Sequence, residues 1–190
     1  MLEVEMKFPN ADFVELERHL AKAGGHEVAP VREVDHYFNA PDRDFARTDE
    51  ALRVRRIGPA NFVTYKGPKR DAQTKTRTEI EVPLAEGDAA AEGFARLLQH
   101  LGYRPVAMVR KRRRVFQCTR EGYAMEVCLD DVEGLGRFAE LEILAPEEQL
   151  DQARDVLLRT ARAFGLAQSE RRSYLELLLS QSRAEPGSNP

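Results

Sequence analysis

Tryptophan is absent from these 190 residues, and cysteine occurs only at positions 118 and 128. Neither cysteine belongs to a CxxC pair or to a Cys/His spacing that would hold zinc. The reading is of a reducing, cytoplasmic setting, which argues against a Cys118–Cys128 disulfide. No apolar run approaches the roughly 20 residues of a spanning helix, and the opening residues carry no basic-then-apolar leader, so a soluble protein is expected. Excess positive charge is missing too: 29 Lys and Arg against 32 Asp and Glu give a formal charge of -3. That balance makes nucleic acid and anionic membranes poor partners and requires any anion site to be a local cluster. P-loop, GxSxG and GxGxxG signatures are absent, which removes Walker-type, serine-hydrolase and Rossmann chemistry. The histidines at 19, 26, 36 and 100 form no spaced pair and read as structural or surface residues.

What the chain has is alternation with charges, rather than Ser or Thr, at the polar positions. In Met1 to Phe8, Glu3, Glu5 and Lys7 alternate with Leu2, Val4, Met6 and Phe8, a period of two that defines a strand with one charged face. The pattern returns in Ala51 to Ile57 (Arg53, Arg55), Phe62 to Lys66 (Lys66), Thr76 to Pro83 (Arg77, Glu79, Glu81) and Phe138 to Leu144 (Glu140, Glu142). Val31 to Asn39, Pro105 to Gln117 and Tyr123 to Asp130 also read as strands, although the faces of Val31 to Asn39 are too mixed to assign. Helices are expected from Ala11 to Ala23 with Asn10 as cap, from Asp88 to Leu101 with Asp88 as cap, from Pro146 to Gly165, and from about Glu170 to Leu179. The length suits one domain over residues 1–180, and residues 181–190, without apolar groups, read as a disordered tail.

For any single strand the default is a half-buried sheet with its polar face in water. The joint pattern suggests an α+β fold in which antiparallel strands close into a barrel, the charged faces lining its lumen and four amphipathic helices covering the apolar outside. Parity then gives the lumen the acids Glu3, Glu5, Glu79, Glu81, Asp130, Glu140 and Glu142, and the bases Lys7, Arg53, Arg55, Lys66, Arg77, Lys111 and Arg113. In the run Arg110 to Arg114, Lys111 and Arg113 point inward if Arg110, Arg112 and Arg114 face out. So many charges coexist in one cavity only if their signs pair or a ligand completes them. Oxygen-only carboxylates suit Mg²⁺ or Mn²⁺, and Arg and Lys suit phosphate oxygens, so a metal-chelated polyphosphate satisfies both halves.

These residues resemble the CYTH superfamily of triphosphate tunnel metalloenzymes. The ExExK signature stands as Glu3-Val4-Glu5-Met6-Lys7, and the likeness continues through ALRVR, TYKGPK, KTRTEIEV, VRKRRR, LDDVEGLGRFAELE and RRSYLELL to about Leu179. The resemblance implies an eight-stranded antiparallel tunnel. It implies metal binding by Glu3, Glu5 and Glu142, helped by Asp130 and Glu140, and triphosphate binding by Lys7, Arg53, Arg55, Lys66, Lys111 and Arg113. Glu79 and Glu81 would ligate a second ion or orient the bases. YKGP, VEGLGRFAELE and SYLELL are most similar to class IV adenylyl cyclases, which convert ATP to cyclic AMP and pyrophosphate. Related tunnels hydrolyse tripolyphosphate or thiamine triphosphate with nearly the same binding set, and a binding module without turnover is a third reading. No side chain stands out as general base, and the residues do not speak to oligomeric state.

Overall fold

The computed structural model describes residues 2–69 and 77–184. The strands are β1 (Leu2–Pro9), β2 (His26–Asn39), β3 (Ala51–Ile57), β4 (Ala60–Lys66), β5 (Glu79–Leu84), β6 (Arg104–Arg120), β7 (Tyr123–Val132) and β8 (Gly136–Ala145). The helices are α1 (Phe13–Lys22), a single-turn α2 (Phe45–Thr48), α3 (Asp88–His100), α4 (Leu150–Ala163), which follows a 3₁₀ turn at Glu147–Gln149, and α5 (Tyr174–Ala184). Among the described residues no helix is long and apolar enough to cross a membrane.

The eight strands form one antiparallel sheet in the order β1-β8-β7-β6-β2-β3-β4-β5. Laid flat at about 4.8 Å per strand, its edges would stand roughly 34 Å apart. Instead Glu3 of β1 makes an antiparallel bridge to Arg77, two residues ahead of β5, so the sheet is strongly curled. Among the described residues this isolated bridge, rather than a ladder, joins the edges where a closed barrel was expected. The stretch 70–76, part of which was read as the start of the fifth strand, lies outside the described residues.

Alternation fixes the two faces. Val4, Met6 and Phe8 of β1 join Val127, Leu129, Leu141 and Ile143 on the convex side, under Leu16 and Leu20 of α1 and Ala153, Leu157 and Ala161 of α4. A second convex cluster packs Phe38 and Val54 against Ala91, Ala95 and Leu98 of α3. The fourth expected helix behaves differently. Tyr174 of α5 packs with Tyr37, Val109, Val132 and Phe138, which share strand parity with Asp35, Lys111, Asp130 and Glu140 and therefore lie on the concave side. So α5 enters one end of the curl instead of covering its outside.

Several boundaries moved for local reasons. Asn10 is left-handed (φ 55°), and Asp12 caps α1 by accepting from the backbone N–H groups of Val14 (3.0 Å) and Glu15 (3.2 Å). Asp88 is the first residue inside α3, and its carboxylate pairs with Arg56 rather than capping the helix. α5 starts later and runs further than expected, through Ala184, so 181–184 belong to a helix and 185–190 lie outside the described residues. A capping box explains its start: Glu176 N–H donates to Ser173 Oγ (3.1 Å), and Ser173 N–H donates to Glu176 Oε2 (2.6 Å).

Candidate active site

The concave face encloses a cavity of ≈ 700 Å³. Of the fourteen charged residues assigned by parity, every one except Asp130 lines it. β1 and β8 pair Glu5 opposite Glu142 and Lys7 opposite Glu140, and β7 sets Glu126 opposite Glu142. The curl brings Glu3 to the same spot: one carboxylate oxygen from each of Glu3, Glu5 and Glu142 lies within 4.8 Å of the other two.

Crowding carboxylates in a partly buried place resists ionisation. Burial, opposed by Lys66 and reinforced by Glu79, Glu5 and Glu140, pushes Glu3 up to about 7. Burial followed by the charges of Glu3 and Glu5 holds Glu142 well above the usual carboxylate range. A hard divalent cation relieves both effects, and an all-oxygen donor set fits Mg²⁺ or Mn²⁺. Glu126, Cys128 and Glu142 form a neighbouring group of the same tightness. There burial pushes the Cys128 thiol well above its ordinary value, which keeps it protonated and a poor ligand for a hard ion.

Five of the six phosphate-binding candidates, Arg53, Arg55, Lys66, Lys111 and Arg113, are braced by an acid. Asp35 accepts from Arg55 Nε (2.7 Å) and Nη2 (2.8 Å) and from Arg53 Nη1 (3.2 Å). Burial raises the Asp35 carboxyl, but the two guanidiniums outweigh it and hold it well below the usual range. Glu33 lies 3.0 Å from Arg55 Nη2 and 3.1 Å from Lys111 Nζ. Asp130 is fully buried and accepts from Arg113 Nε (2.7 Å) and Nη2 (2.6 Å), while Glu140 pairs with the same guanidinium. Lys66 pairs with Glu79, and Thr64 Oγ1 donates to Glu81 Oε2 (2.8 Å). The Lys7 ammonium donates to the carbonyl of Arg172 and sits 4.1 Å from the centre of the Tyr174 ring.

The expected metal group is thus divided. Glu3, Glu5 and Glu142 converge, whereas Asp130 and Glu140 are engaged by Arg113. Glu79 stands beside Lys66 and Arg77, placed as an orienting acid would be. Sequence reasoning missed Glu33, Asp35, Glu126 and Tyr174, all of which line the cavity. Its parity for the basic run holds: Lys111 and Arg113 are inside, Arg110 and Arg112 are exposed, and Arg114 turns outward to pair with Glu17 and Glu27.

Comparison with known proteins gives concordant matches. The family model described as CYTH domain matches residues 1–174. A Methanocaldococcus jannaschii protein, named provisionally as an adenylate cyclase, is 38% identical over 180 residues, covering 93% of this chain and 98% of its own. The adenylate cyclase CyaB of Aeromonas hydrophila is 34% identical over 151 residues, covering 77% of this chain and 72% of that protein. A solved Pyrococcus horikoshii structure, 38% identical, superposes with a TM-score of 0.82 over 94% of this chain and 99% of its own.

Proposed function

Since the chain belongs to the CYTH domain family, we propose that it is a metal-dependent enzyme that acts on a triphosphate held in its charged cavity, converting ATP to cyclic AMP and pyrophosphate as class IV adenylyl cyclases do. The observation that carries this reading is what one cavity holds together: three carboxylates with converging oxygens, and Lys7, Arg53, Arg55, Lys66, Lys111 and Arg113. The Glu3–Arg77 bridge closes the curl into a tunnel on this reading.

Glu3, Glu5 and Glu142 would hold Mg²⁺ or Mn²⁺. When bound, such an ion supplies charge neutralisation on the phosphates and a lower pKa for the attacking hydroxyl. The six bases grip phosphate oxygens by charge-assisted hydrogen bonds, and because Asp35, Glu33, Asp130 and Glu79 already brace five of them, with Lys7 held by the Arg172 carbonyl and the Tyr174 ring, they need little reorganisation when charge develops. Asp130 and Glu140 serve as supports for Arg113. The ribose 3′-oxygen then bonds to the α-phosphorus as the bond from that phosphorus to the oxygen bridging to the β-phosphate breaks, the hydroxyl proton passes to water, and pyrophosphate departs.

Hydrolysis is the second reading. A Hippeastrum protein, named provisionally as an adenylyl cyclase and described as having a dominant triphosphatase activity, has the same fold, with a TM-score of 0.65 at 15% identity, so the fold is compatible with hydrolysis. The test is a product assay with Mg²⁺ or Mn²⁺ and, separately, ATP and tripolyphosphate. Cyclic AMP with stoichiometric pyrophosphate supports the cyclase. Orthophosphate without cyclic nucleotide makes the protein a triphosphatase, and ligand-raised melting with no product over hours makes it a binding module.

A further inference from the structure

Tyr174 is the first residue of α5 and is buried against the concave face. Its ring meets Phe138 edge-on at 5.0 Å, and its face looks toward two cations, Lys7 Nζ at 4.1 Å and Lys111 Nζ at 5.4 Å from the centroid. Its hydroxyl donates to Asp130 Oδ2 at 2.8 Å. The same oxygen accepts from Arg113 Nη2 at 2.6 Å, and Lys111 Nζ lies 3.6 Å away. Two further contacts fix the ring's approach: Glu170 N–H donates to the Lys7 carbonyl (2.7 Å), and the Ser173–Glu176 box holds the first turn of α5.

Packing alone would be served as well by phenylalanine, since a buried hydroxyl is costly unless it is bonded. Here the bond goes to the acid that aligns a phosphate-facing arginine. The terminal torsion of an aspartate is soft, so a carboxylate held by Arg113 and Lys111, both on β6, could turn with them. A third partner, anchored on another element, removes that freedom.

We propose that Tyr174 is a positioning residue: through Asp130 it fixes the Arg113 guanidinium for the triphosphate, while its ring face seats Lys7. This deepens the proposed function and rests on it. Tyr174→Phe keeps the ring and deletes the hydroxyl, so it isolates the link to Asp130. With tripolyphosphate as probe and metal chelated, calorimetry should show Tyr174→Phe binding about five- to tenfold more weakly than wild type, the scale of one net hydrogen bond. The Mn²⁺ midpoint for activity of this variant should stay at the wild-type value. In an Asp130→Asn background the same change should add no further loss, because both substitutions break one chain of contacts. Should Asp130→Asn not fold, the Arg113 Nε–H resonance serves instead: Tyr174→Phe should speed its exchange with water and leave other arginine resonances unchanged.

Equal tripolyphosphate binding by Tyr174→Phe and wild type overturns the inference and leaves the proposed function standing. So does a full, multiplicative loss in the Asp130→Asn background, or unchanged Arg113 exchange. A wild-type protein that binds neither tripolyphosphate nor ATP overturns the function itself, and the inference with it.

Discussion

Replacing Asp35 with asparagine tests whether the cavity is organised as braced cations. Asp35 is 2% exposed and is shared by Arg53 and Arg55, whose side chains are themselves 9% and 12% exposed. Asparagine preserves the volume but not the charge, and it sets an amide N–H₂ where a second acceptor stood. Arg55 keeps Glu33 at 3.0 Å, while Arg53 keeps a 3.4 Å contact to Thr64 Oγ1 and the charge of Glu79 beyond the altered residue. Removing one partner of a buried ion pair costs about 3–5 kcal/mol, mostly from the uncompensated charge left behind. At a urea slope of about 2 kcal/mol per molar, the unfolding midpoint should fall by about 2 M. The same reasoning predicts a rescue. Tripolyphosphate supplies the missing negative charge, so at equal ligand concentration it should raise the melting temperature of Asp35→Asn more than that of wild type. A midpoint shift below about 0.5 M, or a rescue no larger than in wild type, would show that the arginines do not depend on this acid.

Further tests address the metal group and α5. Glu5→Gln and Glu142→Gln should each raise the Mn²⁺ midpoint for activity at least about tenfold, the lower end of what a lost hydrogen-bonded charge costs; wild-type turnover at limiting metal would refute the assignment. In metal-free protein, Glu3 rises from 4.5 to about 7, so ionisation is disfavoured by folding and stability should fall as pH climbs through that window. His36, lowered from 6.5 by burial, works the other way as pH rises, so Glu3→Gln is the control that should flatten the fall, and saturating Mn²⁺ should reverse it. A metal-free melting temperature unchanged by Glu3→Gln across pH 5–7.5 would refute this. Ser173→Ala removes the cap of α5 and should cost about 1 kcal/mol in chemical denaturation. It should also weaken tripolyphosphate binding by loosening Tyr174, and a stability loss with unchanged binding would separate the helix from the site.

How much of this was legible in the sequence depended on what stood at alternate positions. In β1, and over residues 52–55 of β3 and 139–143 of β8, charged and apolar residues alternate, so a period of two located Glu3, Glu5, Lys7, Arg53, Arg55, Glu140 and Glu142. β2 defeated the same reasoning. Its inner face carries Val31, Glu33, Asp35 and Tyr37, and its outer face carries Arg32, Val34, His36 and Phe38, so both faces mix charge with apolar groups. The cause is that the strand crosses two environments on each side. Outside, Phe38 lies under α3 while Arg32 is exposed; inside, Tyr37 packs with α5 while Glu33 and Asp35 meet arginines. Register irregularities between Glu27 and Pro30 and between Tyr37 and Phe38 blur the period further.

The missed acids and Tyr174 share a physical reason. Parity says which face a side chain joins, but a brace is defined by its partner, and the partners come from other strands through the curl. Asp35 reaches Arg53 and Arg55 across β2 and β3, and Tyr174 reaches Asp130 from 44 residues away in sequence. Asp130 had the right parity for the lumen and the family resemblance implied that it helps bind the metal, yet its neighbours turned both of its oxygens toward Arg113. The same limit applies to α5: its apolar residues announced a buried helix, and only the Ser173–Glu176 box and the Glu170–Lys7 contact decide that it enters the concave end rather than covering the outside. In this fold the strand pattern encodes which charges meet, while cross-strand pairing encodes which of them are held still. Catalysis by positioned charge requires both.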